Sequence, residues 1–231
     1  MDVSGMSALW AQFGASLLQG LCTTLELAAA ALAGSLVLGT LVSFARLSSF
    51  APLRLAAGAY ADVVRSVPLL VHAFFWYFGV TEILPEPVQQ WLYERDANFI
   101  AGVIALIVYS AAFVSEDIRS GIRSIPKGQV EAARALGFGS LRTFVLIILP
   151  QAIRAVIPSL IGQAMTITKN TSVTLMIGVV ELINATRRVQ DATFRIVEPY
   201  AFATLSYLVF CGVLTLLVMR HERRAGKGAH A

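Results

Sequence analysis

From Leu27 to Phe44 the chain reads LAAAALAGSLVLGTLVSF, eighteen residues without a charge. In hydrocarbon there is no water to satisfy backbone N–H and C=O groups, so such a run must bond internally, and a helix does so. At about 1.5 Å of rise per residue, some 20 apolar residues cross a core about 30 Å thick. Four further stretches have the same character, and the spans fall at about 17–44, 55–80, 98–117, 153–180 and 199–219. Composition agrees: 57% of residues are apolar and 14% charged, against about 45–50% and about 25% in soluble domains. So few charges cannot cover a soluble globule of 24.9 kDa, which excludes both an ordinary soluble enzyme and a disordered chain. The expected fold is an all-α integral membrane protein with five transmembrane helices. In the first span Gly34, Gly39 and several alanines offer a small-residue face for close helix contact. Pro158 and Gly162 are expected to interrupt the fourth.

Charge distribution orients the spans. An odd number puts the termini on opposite sides. Arg46, Arg54, Arg119, Arg123, Lys127, Arg134, Arg142, Arg154, Arg220, Arg223, Arg224 and Lys227 fall on one side. Arg95, Arg187, Arg188 and Arg195 fall on the other, and the arm 1–16 has neither Lys nor Arg. Positive loops stay in the cytoplasm, so the N-terminus is expected outside and the basic tail 220–231 inside. That distribution, rather than nucleic acid, accounts for the net charge of +4. Cys22 and Cys211 lie within apolar runs and are expected to be buried as small apolar residues.

Residues 118–150, between spans three and four, are too long for a turn and too apolar for a linker. They predict two short helices: Pro126 opens the first, Gly137 ends it in the left-handed region, and Ser140 caps the second, which runs to Pro150. An amphipathic pair lying on the membrane is the simplest reading. However, adjacent Ala132 and Ala133 put small residues where a lipid-binding helix carries bulk, which suits a groove on another protein.

Glu131-Ala132-Ala133, three residues, Gly137, nine residues, then Ile147-Ile148-Leu149-Pro150 reproduces the pattern E-A-A-x3-G-x9-I-x-L-P. This resembles the cytoplasmic EAA loop of permease subunits in binding-protein-dependent ABC importers. The segments GLCTTLEL, RSVPLLVHAFFWYFG, AAFVSEDIRSGIRSIPKGQ, IILPQAIRAVIPSL, TKNTSV and VVEL are similar, in order, to the polar amino-acid uptake subfamily. The chain departs from that pattern at His72, where Gln is expected, and at Asp117-Ile118, where an apolar pair is usual. The resemblance implies a type I importer permease fold in a bacterial inner membrane. It implies a second permease subunit, identical or homologous, two ABC ATPase subunits, an extracytoplasmic binding protein and an amino-acid substrate. Gly128, Glu131, Ala132, Ala133, Gly137 and Pro150 would couple to the ATPase. The chain has no G-x-x-x-x-G-K-[ST] of its own, so it is expected to bind no cofactor, with ATP and Mg²⁺ used by the partner.

A charge at mid-bilayer costs at least ~2.5–3.5 kcal/mol and asks for a partner or a wet path. Asp62 and Arg65, three apart, are expected to pair; Glu116 is expected to meet Arg119 and Arg123 as a gate or loop anchor. Lys169, among Thr166, Thr168, Asn170, Thr171 and Ser172, is expected either to line a substrate path or to pair with Glu181 or Glu116. Glu26 reaches the interface or lines the same path, and His72 joins the path candidates. Two rival classes are a membrane-embedded enzyme and a passive channel. The first lacks a G-x-S-x-G elbow or metal motif, and the second leaves the EAA spacing unexplained.

Overall fold

The computed structural model describes residues 3–227, with side chains placed from residue 10 to residue 220. The described residues contain helices and no strand. In order they are α1 (Val3–Leu47), α2 (Ala51–Ser66), α3 (Leu69–Phe74), α4 (Thr81–Ile83), α5 (Glu86–Tyr93), α6 (Ala97–Arg123), α7 (Lys127–Ala135), α8 (Ser140–Thr143), α9 (Leu149–Asn170), α10 (Leu182–Thr193) and α11 (Val197–Lys227). A π-helical segment, Phe75–Val80, joins α3 to α4, and another, Phe144–Ile148, joins α8 to α9; 3-10 turns, Thr171–Ile177, follow α9. Four stretches are long and apolar enough to cross a membrane: Trp10–Leu47, Ala97–Arg123, Ser140–Ile177 and Val197–Arg220. The fifth is a broken pair, Ala51–Ser66 with Leu69–Ile83, bent by 106°. The stretch expected as an arm is helical from Val3 onward. Residues 1–2 and 228–231, the ends of the arm and of the basic tail, lie outside the described residues.

α6 is the central helix, with α1 along its length and α2 and α9 beside it. Its contact face is small: Ala101, Ala105, Ala111, Ala112 and Ser115 are buried. Lipid is as apolar as leucine, so helices gain by close packing rather than by hiding apolar surface. Gly39 of α1 shows how close they come. A Cβ there would lie 2.6 Å from Val114 Cγ1 and 2.9 Å from the Ala111 carbonyl oxygen. At Gly34 the obstacle is the tip of Ile107, which can turn aside; the backbone at Ala111 cannot. Overpacking typically costs ~1–3 kcal/mol, so Gly39→Leu is expected to lower the melting temperature of the purified protein and its monodisperse yield. Unchanged thermal stability would contradict this packing.

Pro68 breaks the second span. The residue before it, Val67, is extended (φ −105°, ψ 132°), as a following proline requires. Proline has no N–H, so the Val64 carbonyl loses its usual partner four residues on. The Val67 N–H reaches it at 3.4 Å, and His72 Nε2 donates to it at 3.2 Å.

Two expectations for span four are corrected. α9 runs unbroken through Pro158 and Gly162, and the change of geometry comes only at Thr171. Pro150 does not end a helix either: just before it the chain widens into a π turn, with Leu149 N–H reaching back to Phe144 O. That longer register accommodates a residue that would otherwise clash with the carbonyl four back. The burial expected for the cysteines is corrected too. Cys22 is exposed on α1 and Cys211 half-buried on α11; in a membrane-spanning helix the hydrocarbon around the protein can receive an apolar thiol as well as a core can.

Candidate coupling loop and intramembrane polar site

α7 begins directly after Pro126 (φ −57°) and ends at Gly137, which sits in the left-handed region at φ 78°. Phe138 N–H donates to Ala133 O at 3.0 Å and Gly137 N–H to Arg134 O at 2.9 Å. This pair of bonds is the Schellman arrangement, and it satisfies carbonyls that the helix end leaves open. Space does not demand the glycine, since a Cβ there would meet nothing within 4 Å; the positive φ does. The next cap differs from expectation. Gly139, extended at φ −69° and ψ 161°, takes the N-cap position, and Ser140 is the first helical residue with no capping bond.

The two alanines of the motif do different work, because adjacent helical residues point about 100° apart. Ala133 is 1% exposed, on a helix that packs against α8 and the π turn after it. Gly128, Glu131 and Ala132 are exposed, and Leu136 is 75% exposed. The outward surface of α7 therefore combines these small residues with exposed Lys127, Glu131 and Arg134, and is followed by a projecting leucine.

At the same end of α6, Glu116 accepts from Arg46 Nη1 at 2.7 Å and from Arg119, and Arg65 Nη1 stands 3.8 Å away. One carboxylate thus gathers cations from α1, α2 and α6. Gln163 Nε2 donates to Asp117 Oδ2 at 3.0 Å, tying α9 to the same end. The expectation of an Asp62–Arg65 pair is corrected: Arg65 leans toward Glu116, and among the described residues Asp62 makes no side-chain bond. Arg123 is likewise absent from the Glu116 cluster, where Arg46, seventy residues upstream, stands instead.

The polar stretch around Lys169 does not share one surface. Thr168 and Thr171 are buried, and each hydroxyl donates to a carbonyl of its own chain, Ala164 O and Thr168 O. Lys169 is exposed, Asn170 half-buried. Lys169 forms no ion pair among the described residues, so the expected pairing with Glu181 or Glu116 is not found. Glu26 is exposed on α1. His72 is half-buried, committed to Val64 O and packed edge-on against Tyr109 with ring centroids 5.7 Å apart; it closes the break at Pro68 rather than standing free.

Glu181 is the residue that sequence reasoning undervalued. It is fully buried and caps α10, accepting from Ile183 N at 2.9 Å and Asn184 N at 2.8 Å. Leu182 N–H donates to Thr24 Oγ1 of α1 at 3.0 Å, and Asn184 Nδ2 to Val179 O at 2.8 Å. Burial pushes the Glu181 carboxyl above the usual glutamate range, opposed by those N–H bonds. An acidic residue opening the polar stretch LINATRRVQDAT was the available signal.

Over residues 29–227 the chain matches the family described as binding-protein-dependent transport system inner membrane component. It is 39% identical over 210 residues to the probable glutamine ABC transporter permease protein GlnM of Bacillus subtilis (strain 168), covering 91% of this chain and 93% of that one. It is 34% identical over 208 residues to the glutamate/aspartate import permease protein GltK of Escherichia coli O157:H7, covering 90% and 92%. The crystal structure of an amino acid ABC transporter with histidines superposes with a TM-score of 0.85 at 30% identity, over 97% of this chain and 99% of that one. The chain belongs to the binding-protein-dependent transport system inner membrane component family, and it is a membrane-spanning permease subunit of an ABC importer.

Proposed function

We propose that this permease imports polar amino acids, driven by ATP, with α7 as the element through which the ATPases act. The observation that carries the coupling is the outward surface of α7, capped at Gly137 and ending in the exposed Leu136. The substrate class is supported by relatives named for glutamine and for glutamate/aspartate. An extracytoplasmic binding protein delivers substrate, and a second permease subunit, identical or homologous, completes the pathway. Two cytoplasmic ATPase subunits use ATP and Mg²⁺ and seat α7 in a cleft. Their closure favours one of two permease arrangements, and α7 passes that preference to α8 and α9, which follow it in the chain. The protein sits in the bacterial inner membrane with its N-terminus outside.

Proteoliposomes containing this permease, its ATPases and its binding protein are expected to accumulate radiolabelled glutamine, glutamate, arginine or histidine only with ATP and binding protein present. Uptake that proceeds without ATP would favour a channel. For orientation, in a Cys22→Ser/Cys211→Ser background, Gln90→Cys is expected to react with an impermeant thiol reagent on intact cells and Gln129→Cys only after permeabilisation. The reverse pattern would invert the topology.

A further inference from the structure

We infer that Phe194, at the turn between α10 and α11, is the anchor on which the extracytoplasmic binding protein docks, entering an apolar pocket rimmed by carboxylates on that protein. This rests on the importer reading and the orientation proposed above.

The backbone singles the residue out. Among the described residues two that are not glycine have positive φ, Asp96 at 68° and Phe194 at 55°. Asp96 is accounted for: its side chain caps α6, accepting from Phe99 N–H at 3.0 Å, and aspartate is one of the few residues that visit this region. Phenylalanine has no such polar group. Phe194 closes α10, its N–H donating to Gln190 O at 2.7 Å, in a position that glycine fills without strain. Internal packing does not account for the bulk either, because Phe194 is 91% exposed. A strained, bulky and outward residue points to a contact outside the chain.

The surroundings indicate which contact. Ile196 and Val197 are exposed beside it, so the turn presents a small apolar cluster. Arg195 and Glu198, 3.9 Å apart on the same turn, hold it at the membrane surface, since charges avoid hydrocarbon. Anionic lipid does not explain the arginines of this segment, because its pull on basic residues acts at the cytoplasmic leaflet and this turn is on the other side. Arg187 has Asp191 at 3.7 Å, whereas Arg188, exposed on α10, bonds Asn184 Oδ1 and has no carboxylate among the described residues. An apolar anchor beside an open guanidinium suits a protein surface with an apolar pocket and acidic rim. The support is firm: α10 is seated on α1 through Leu17, Ala185 and Val189 and through the Leu182–Thr24 bond, so little ordering is lost on docking.

The test is uptake by the proteoliposomes described above as binding-protein concentration is varied, with whichever of the four labelled amino acids the wild type accumulates. Phe194→Gly is expected to raise the concentration for half-maximal uptake about tenfold or more, with uptake recovering at saturation. The melting temperature of the same complex should not fall, since glycine takes this φ freely. Arg188→Glu is expected to act in the same direction by setting a carboxylate against carboxylates. A photo-crosslinking residue at Phe194 should form an adduct with the binding protein. An unchanged half-maximal concentration in both variants overturns the docking point. So does a lowered melting temperature in Phe194→Gly, or a probe that reacts with lipid or a second permease subunit only, because the ring would then be seated there. Wild-type uptake that needs no binding protein defeats the importer reading, and the docking point with it.

Discussion

Leu136→Asp is expected to reduce ATP-driven uptake at least ~30-fold while the permease still inserts and folds. Leu136 is 75% exposed on the single chain, so its replacement removes little internal contact. A leucine projecting into a partner's cleft, by contrast, is an anchor of the kind whose loss costs ~2 kcal/mol or more, and a buried aspartate adds a desolvation penalty. Gly137→Val should produce the same phenotype by another route. Valine at φ 78° is strained by ~1–3 kcal/mol, and relief of that strain breaks the two bonds that close α7. Both variants should lose substrate-stimulated ATP hydrolysis together with transport. Near-normal stimulated hydrolysis in Leu136→Asp complexes would remove α7 from the coupling route.

Glu181→Leu is expected to be the most damaging substitution away from the loop. Two backbone N–H groups at the start of α10 would lose their acceptor inside the protein, and an unsatisfied buried donor costs ~1–3 kcal/mol. Because α10 is also pinned to α1 through Thr24, fraying of its first turn loosens the Leu17, Ala185 and Val189 cluster. Little assembled protein should be recovered. Glu181→Gln keeps an acceptor oxygen and should retain an intermediate amount. Equal recovery of the Leu variant and wild type would show that the cap contributes nothing.

Several features were legible because they depend on local chemistry. Uncharged runs mark the spans, glycine at a required φ marks the end of α7, and small residues mark the α1–α6 contact at Gly39. Others depend on partners distant in sequence. Nothing local says that Arg46 rather than Arg123 meets Glu116, or that Arg65 turns from Asp62 toward that same carboxylate. The two alanines of the motif look equivalent in sequence; only the packing of α7 on α8 buries one and exposes the other, so Ala133→Trp tests internal packing where Ala132→Trp tests the cleft. Pro150 and Pro158 suggested breaks that α9 does not have, since a π turn precedes one and the other is carried within a packed helix. Lys169 stood out as a charge among hydroxyls, yet Thr168 and Thr171 bond their own backbone and leave it alone on an exposed face.

Coupling through α7 is tested most directly by a photo-crosslinking residue placed at Leu136 in the assembled complex, with a second placed at Gln90 in α5. The Leu136 probe is expected to form an adduct with the ATPase whose yield changes with nucleotide, and the Gln90 probe to form none. An ATPase adduct from Gln90, or none from Leu136 in a complex that transports, would contradict this account.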